Sequence, residues 1–268
     1  VNLARDGSEE GIHFHPGLDW NDFVFGYITD ASFAEESEHN PNTGHSEPYR
    51  SQGGTMIILA SPNLRGTGTD IRFHVLSYSS TKIKRVCRST MQAETYQLQL
   101  TVEQGDCIRA CIADLNGVLD RHNWEASAAA FRHAVWLTDC NSCNSALQRP
   151  VQGKTTDKRL GIEIAALRQN LWRVPGQLVG MPWLDEDKPK DTTDSCRWID
   201  TSVMLCDAFT KKMNTQYMVD AMRTGVWNIK QPKDAKAGKE LKSLSRAKAK
   251  EAKKAAAKAK MMMRFVAK

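Results

Sequence analysis

Four acidic residues sit where the chain is otherwise apolar or closes a regular element: Asp30, Glu94, Asp139 and Asp207. Asp30 ends the β-branched, aromatic run Phe23-Val24-Phe25-Gly26-Tyr27-Ile28-Thr29, and Asp139 ends Ala134-Val135-Trp136-Leu137-Thr138. If those two runs are neighbouring strands, their axes lie ~4.8 Å apart. Two carboxylates at that spacing repel and lose hydration, so they need a compensating cation. A donor set of hard oxygens points to Mg²⁺ or Mn²⁺. Asp207, at the start of a late helix, is placed to close the cluster. Each acid also has an ordinary role open to it: Asp30 as a strand-end turn residue, Asp207 as a helix N-cap. Glu94 is harder to assign that way, because an unpaired Glu on a buried helix stripe costs several kcal/mol.

The elements that position these acids can be read from hydropathy. Three strands are expected, at Phe23–Thr29, Thr55–Ala60 and Ile71–Tyr78. The polar segment Glu35–Gln52, with Pro41, Gly44 and Pro48, reads as a surface loop. A long helix follows, with Ser89 or Thr90 as N-cap and an apolar repeat at Ile108, Cys111, Ile112, Leu115 and Leu119. Glu94 falls on the stripe of Leu98, Thr101, Gly105 and Ile108, the side expected to face the sheet. Then come the strand at Ala134–Thr138, a short helix from Ser142 to Leu147, and a helix from about Asp157 to Trp172. A last strand is expected at Arg197–Asp200, with a helix beginning near Asp207. This order mixes antiparallel hairpins with parallel crossovers, which is an α/β class with helices packed on a mixed sheet.

Composition narrows the possibilities. The 268 residues are 41% hydrophobic and 25% charged, enough for a packed core and unlike a disordered or collagenous chain. No run of 18 apolar residues spans a membrane. Residues 230–268 carry 14 basic and 3 acidic side chains, a net +11, which leaves −5 on residues 1–229. Such a Lys/Ala-rich tail suits a polyanionic partner, a nuclear address or a solvated helix. Seven scattered cysteines fit a reducing compartment, so an intracellular location, cytoplasmic or nuclear, is expected. Cys140-Asn-Ser-Cys143 lacks the second pair a tetrahedral zinc site needs. His13-Phe-His15 fits a short exposed strand as well as it fits a ligand pair. Residues 1–22 read as a linker or the remnant of a preceding domain, 23–229 as the folded domain and 230–268 as a basic tail. The opening Val1-Asn2-Leu3 suggests a piece of a longer polypeptide.

Five segments in order resemble the ribonuclease H domain at the end of copia-type LTR-retrotransposon polyproteins. They are Gly26-Tyr27-Ile28-Thr29-Asp30-Ala31-Ser32, Ser77-Tyr78-Ser79-Ser80-Thr81-Lys82 and Ser89-Thr90-Met91-Gln92-Ala93-Glu94, then Leu137-Thr138-Asp139-Cys140-Asn141-Ser142 and Asp207-Ala208-Phe209-Thr210-Lys211. The chain departs from that family at Lys158-Arg159-Leu160-Gly161, where the family often has Lys-His-Ile-Asp, so a His that assists product or metal release is absent there.

The resemblance implies a ribonuclease H-like mixed five-stranded sheet with helices on both faces. It also implies hydrolysis of the RNA strand of an RNA–DNA hybrid, as part of a polyprotein that includes a reverse transcriptase domain. Asp30, Glu94, Asp139 and Asp207 become the catalytic acids holding two Mg²⁺ ions, with Mn²⁺ as a substitute and Asp30 bridging both. No side-chain nucleophile is required. Lys82, Lys84, Arg85 and Arg88 form a basic run ahead of Glu94 that suits phosphate contacts, and Arg159 and Arg168 could add more from the penultimate helix. Two other readings remain open. One is a catalytically inactive relic of the same fold that binds nucleic acid or acts as a scaffold. The other is an integrase or transposase, for which Glu163 is the late acidic candidate.

Overall fold

Apolar side chains alternate along the central strands, so each strand presents one set to each face of a sheet. In the computed structural model, which describes residues 14–39, 46–149, 157–180, 189–211 and 213–229, the strands are β1 (Val24–His39), β2 (Ser46–Ala60), β3 (Ile71–Lys82), β4 (Ala134–Thr138), β5 (Asp194–Trp198) and β6 (Val226–Trp227). They form one sheet in the order β5-β4-β1-β2-β3-β6. The β1–β2, β2–β3 and β3–β6 pairs are antiparallel, while β1–β4 and β4–β5 are parallel. The expected mixed α/β sheet is present, with six strands rather than five because of the two-residue β6.

Both faces are covered, as a sheet with apolar side chains on each side requires. On one face Phe25, Tyr27, Ile57 and Trp136 pack against α1 (Thr90–Leu115), α3 (Asn141–Gln148) and α4 (Lys158–Leu171). On the other, Ile28, Met56, Val135 and Leu137 meet Val203–Cys206 and Met218. Met218 belongs to α6 (Gln216–Thr224), which follows the single turn α5 (Asp207–Thr210). Helix α2 (Trp124–Phe131) leads into β4. Among the described residues no helix is long and apolar enough to cross a membrane.

Three expectations need correction. The first strand does not stop at Asp30, and Glu35–Gln52 is not a loop throughout. The β1–β2 ladder continues to His39↔Ser46, with register shifts after Ser32 and Glu36, and 40–45 lies outside the described residues. Backbone pairing satisfies N–H and C=O groups whatever the side chains, so the ladder outlasts the hydropathy signal. The apolar repeat from Ile108 to Leu119 does not all turn inward: Leu115 is 85% exposed and Cys111 is exposed. The stripe of Glu94, Leu98, Thr101 and Gly105 is buried as expected, and Val102, Arg109 and Ile112 are among the residues buried with it. Gly105 permits the close approach of that stripe to the sheet, because a Cβ there would lie 2.5 Å from carbons of the Tyr27 ring. The last long strand, finally, runs from Asp194 to Trp198, earlier than Arg197–Asp200.

Arg109 carries a charge inward on this helix, and its partners are there. Arg109 donates to Asp194 at 2.9 Å and to the Ala129 carbonyl at 2.6 Å. The second Asp194 oxygen accepts from Trp136 Nε1 at 3.1 Å, and Tyr27 Oη donates to Asp106 at 3.1 Å. A buried ion pair of this kind offsets its desolvation only when such extra hydrogen bonds are made.

Candidate metal centre

The parallel register Ile28↔Leu137 puts the interior of β1 beside the end of β4, and continuing it by two residues sets Asp30 opposite Asp139. Asp30 is fully buried. Its carboxylate accepts from the Thr210 hydroxyl and lies 3.4 Å from Lys211 Nζ. Asp139 is fixed through its backbone carbonyl, which accepts from Trp198 Nε1 at 2.8 Å. Its Oδ2 accepts from Thr201 Oγ1 at 2.7 Å.

Glu94 arrives on the second turn of α1. Ser89 caps that helix, its side chain accepting from the Gln92 N–H at 3.2 Å. Gln92 in turn accepts from the Arg88 N–H at 2.7 Å and donates to Tyr96 Oη and to Asp157, the N-cap of α4. A small apolar cluster of Ala31, Ile83, Ala93 and Tyr96 surrounds this turn. Locked in this way, Glu94 is 3% exposed, and one oxygen from each of Asp30, Glu94 and Asp139 lies within 4.8 Å of the others.

Burial pushes the Glu94 carboxyl well above the usual carboxylate range, and the charges of Asp30 and Asp139 add to the shift. The Ala31 N–H and Lys211 oppose it. Among the described residues Glu94 Oε2 has no hydrogen-bond partner. A buried carboxylate oxygen left without a donor, facing two more carboxylates, fits a hard divalent cation. Cys140 lines the same cleft of about 330 Å³ together with Glu94, Asp139 and Lys211. Burial raises its thiol pKa, while Asp30, Glu94 and Asp139 each offer a carboxylate oxygen.

Asp207 does not join the three-carboxylate set as expected. It opens α5, and its Oδ1 lies 2.6 Å from Lys211 Nζ, the i,i+4 partner. The ammonium stands between Asp207 and Asp30. Burial pushes the Asp207 carboxyl up to about 6, with Lys211 pulling it down and Asp30 pushing it further up. Burial alone would lower the Lys211 pKa, yet Asp30 and Asp207 hold it above the ordinary lysine value. Sequence reasoning gave Lys211, Thr210 and Thr201 no role in the site. The i,i+4 spacing of Asp207 and Lys211 was the available signal for the first.

The predicted phosphate-binding residues divide. Lys82, Lys84, Arg88 and Arg159 are exposed. Arg85 is exposed too, but it pairs with Glu163 and its guanidinium lies 4.9 Å from the centroid of the Tyr96 ring. Arg168 cannot reach a phosphate. It is 1% exposed, stacks on Trp172 at 4.5 Å and donates to the Arg149 carbonyl at 2.8 Å. Cys143 is buried beside Thr95, so the Cys140/Cys143 pair does not open toward a metal. His13 and the basic tail of 230–268 lie outside the described residues. His15 Nε2 contacts the Met222 carbonyl at 3.1 Å.

No family model matches the chain, and no curated protein matches it. Among solved structures it is similar to the N-terminal RNase H domain of rv2228c from Mycobacterium tuberculosis, solved as a fusion with maltose binding protein. The identity is 11% and the TM-score 0.37, covering 76% of this chain and 99% of that one. So loose a likeness bears no functional weight.

Proposed function

We propose that the chain is a metal-dependent endonuclease that hydrolyses the RNA strand of RNA–DNA hybrids, as the ribonuclease H domain of a copia-type retrotransposon polyprotein beside its reverse transcriptase. The observation that carries this reading is the convergence of three carboxylates, two of them buried, from strand β1, helix α1 and the end of β4, with Glu94 Oε2 left without a hydrogen-bond partner among the described residues.

Asp30, Glu94 and Asp139 would hold Mg²⁺ or Mn²⁺. Bound there, such a cation supplies Lewis acidity that lowers the pKa of water and neutralises charge developing on a scissile phosphate. The protein's part is preorganisation. Thr210 and Lys211 hold the two oxygens of Asp30, Thr201 orients Asp139, and the capped start of α1 fixes Glu94. These restraints are set before substrate arrives, so no reorganisation is required during reaction. Lys82, Lys84, Arg88 and Arg159 would contact backbone phosphates, which position a duplex without reading its sequence. Selection of the RNA strand would rest on its 2′-hydroxyls.

The test is cleavage of a labelled RNA–DNA hybrid in Mg²⁺ by the full chain and by Asp30→Asn. Cutting confined to the RNA strand, and lost in the variant, is the expected result. Undiminished cutting by Asp30→Asn would overturn the proposal. Tight hybrid binding without cleavage in either Mg²⁺ or Mn²⁺ would identify the inactive, scaffolding form instead.

A further inference from the structure

We propose that the ammonium of Lys211 occupies the place of a second cation, leaving a single high-affinity divalent site on Asp30, Glu94 and Asp139. On this view Asp207 holds the lysine rather than a metal. The inference rests on the metal-dependent reading above and alters its stoichiometry from two ions to one.

The oxygens of the cluster are not equivalent. Both Asp30 oxygens face donors from the chain, Thr210 on Oδ2 and Lys211 on Oδ1. Lys211 also binds Asp207 Oδ1, and that contact at 2.6 Å is the shorter of its two ion pairs. Glu94 Oε2 has no hydrogen-bond partner among the described residues. The ammonium supplied by the chain is therefore seated between Asp30 and Asp207, and the unpartnered buried oxygen belongs to Glu94.

The lysine is held by more than its charge. Its backbone N–H donates to the Asp207 carbonyl at 3.0 Å, closing the one-turn helix α5, so main chain and side chain return to the same residue. Its side chain is 32% exposed, against 5% for Asp207 and 1% for Asp30. A cation entering between those two acids would have to displace a charge-assisted hydrogen bond and accept the ammonium as a close neighbour. A compact ammonium with three donors can serve two carboxylates at once, as a divalent ion would.

Calorimetric titration of the full chain with Mn²⁺ tests this directly. The native protein should bind one ion tightly, with any second ion much weaker. Lys211→Met should bind a second ion about tenfold or more tightly than the native chain does, a minimal gain for removing a positive charge from a half-buried site. Lys211→Arg, which keeps the charge, should stay at one tight ion, and melting curves of both variants verify that they are folded. Two tight ions in the native chain, unchanged in Lys211→Met, would overturn the lysine assignment and leave the nuclease reading standing. Absence of any bound ion in the folded native chain would overturn both.

Discussion

Replacing Glu94 by Gln should stabilise the metal-free protein and remove its response to metal. Three carboxylate oxygens lie within 4.8 Å of one another. Each ionised pair at that distance repels by about 3.5 kcal/mol at an effective dielectric of about 20. Charge delocalisation, the Ala31 N–H and Lys211 cancel much of this. A net gain of about 1–3 kcal/mol for Glu94→Gln follows, which in a domain of this size raises Tm by about 2–10 °C. The sign with pH is set by the raised Glu94 pKa. The folded state holds its proton more tightly than the unfolded chain, so native stability falls as pH rises from the ordinary glutamate range through the raised value. The advantage of Gln should therefore be negligible near pH 4 and largest at pH 8. Added Mg²⁺ at a hundred times its Kd should stabilise the native chain by about 2.7 kcal/mol and Glu94→Gln far less. Thermal melts in EDTA and in Mg²⁺, at pH 5 and pH 8, read all of this. A variant that melts below the native chain in EDTA at pH 8, yet keeps the full Mg²⁺ increment, would refute the reasoning.

Two further outcomes separate residues that hold the fold from residues that meet substrate. Arg168→Ala should cost about 2–4 kcal/mol, the range for losing a large packed side chain, while hybrid affinity below its Tm is unchanged. Lys82→Ala with Lys84→Ala should leave Tm nearly unaltered but reduce the salt dependence of hybrid binding by about one phosphate contact each, measured by fluorescence anisotropy against salt. In the interior, Asp194→Ala should cost about 3–5 kcal/mol, because it removes the nearer of the two carboxylates beside the buried Arg109 guanidinium and the acceptor of the Trp136 N–H. Chemical denaturation measures it, and a loss below about 1 kcal/mol would show that Arg109 finds other partners.

Much of the architecture was legible because burial leaves a strong pattern. Ala134–Thr138 is apolar at every position except its last, and β4 has those same bounds. Ser89 was legible as a cap because its hydroxyl has a defined acceptor role there. The long polar hairpin of β1 and β2 was not, since its pairing is carried by the backbone. Arg168 misled for a different reason. Arg168 stands four residues after Ile164 and three before Leu171, on the same helical face. Its charge argued for solvent, and only the fold supplies the Trp172 ring and the Arg149 carbonyl that make the interior tolerable.

The acids could be found from sequence because they are improbable where they stand: a carboxylate after an apolar strand needs a reason, and the parallel register supplies two of them at once. The residues that make those acids workable are ordinary by type. Lys211 follows Asp207 by one helical turn, a spacing that on a surface helix contributes only about 0.2–0.5 kcal/mol. Its reach to Asp30, 181 residues earlier, exists only once β1 and α5 are packed together. Two buried acids that share one ammonium are partly neutralised within the chain, whereas Glu94 Oε2 has no hydrogen-bond partner among the described residues. That asymmetry gives the cluster a direction, with the ammonium seated between Asp30 and Asp207 and the unpartnered oxygen on Glu94.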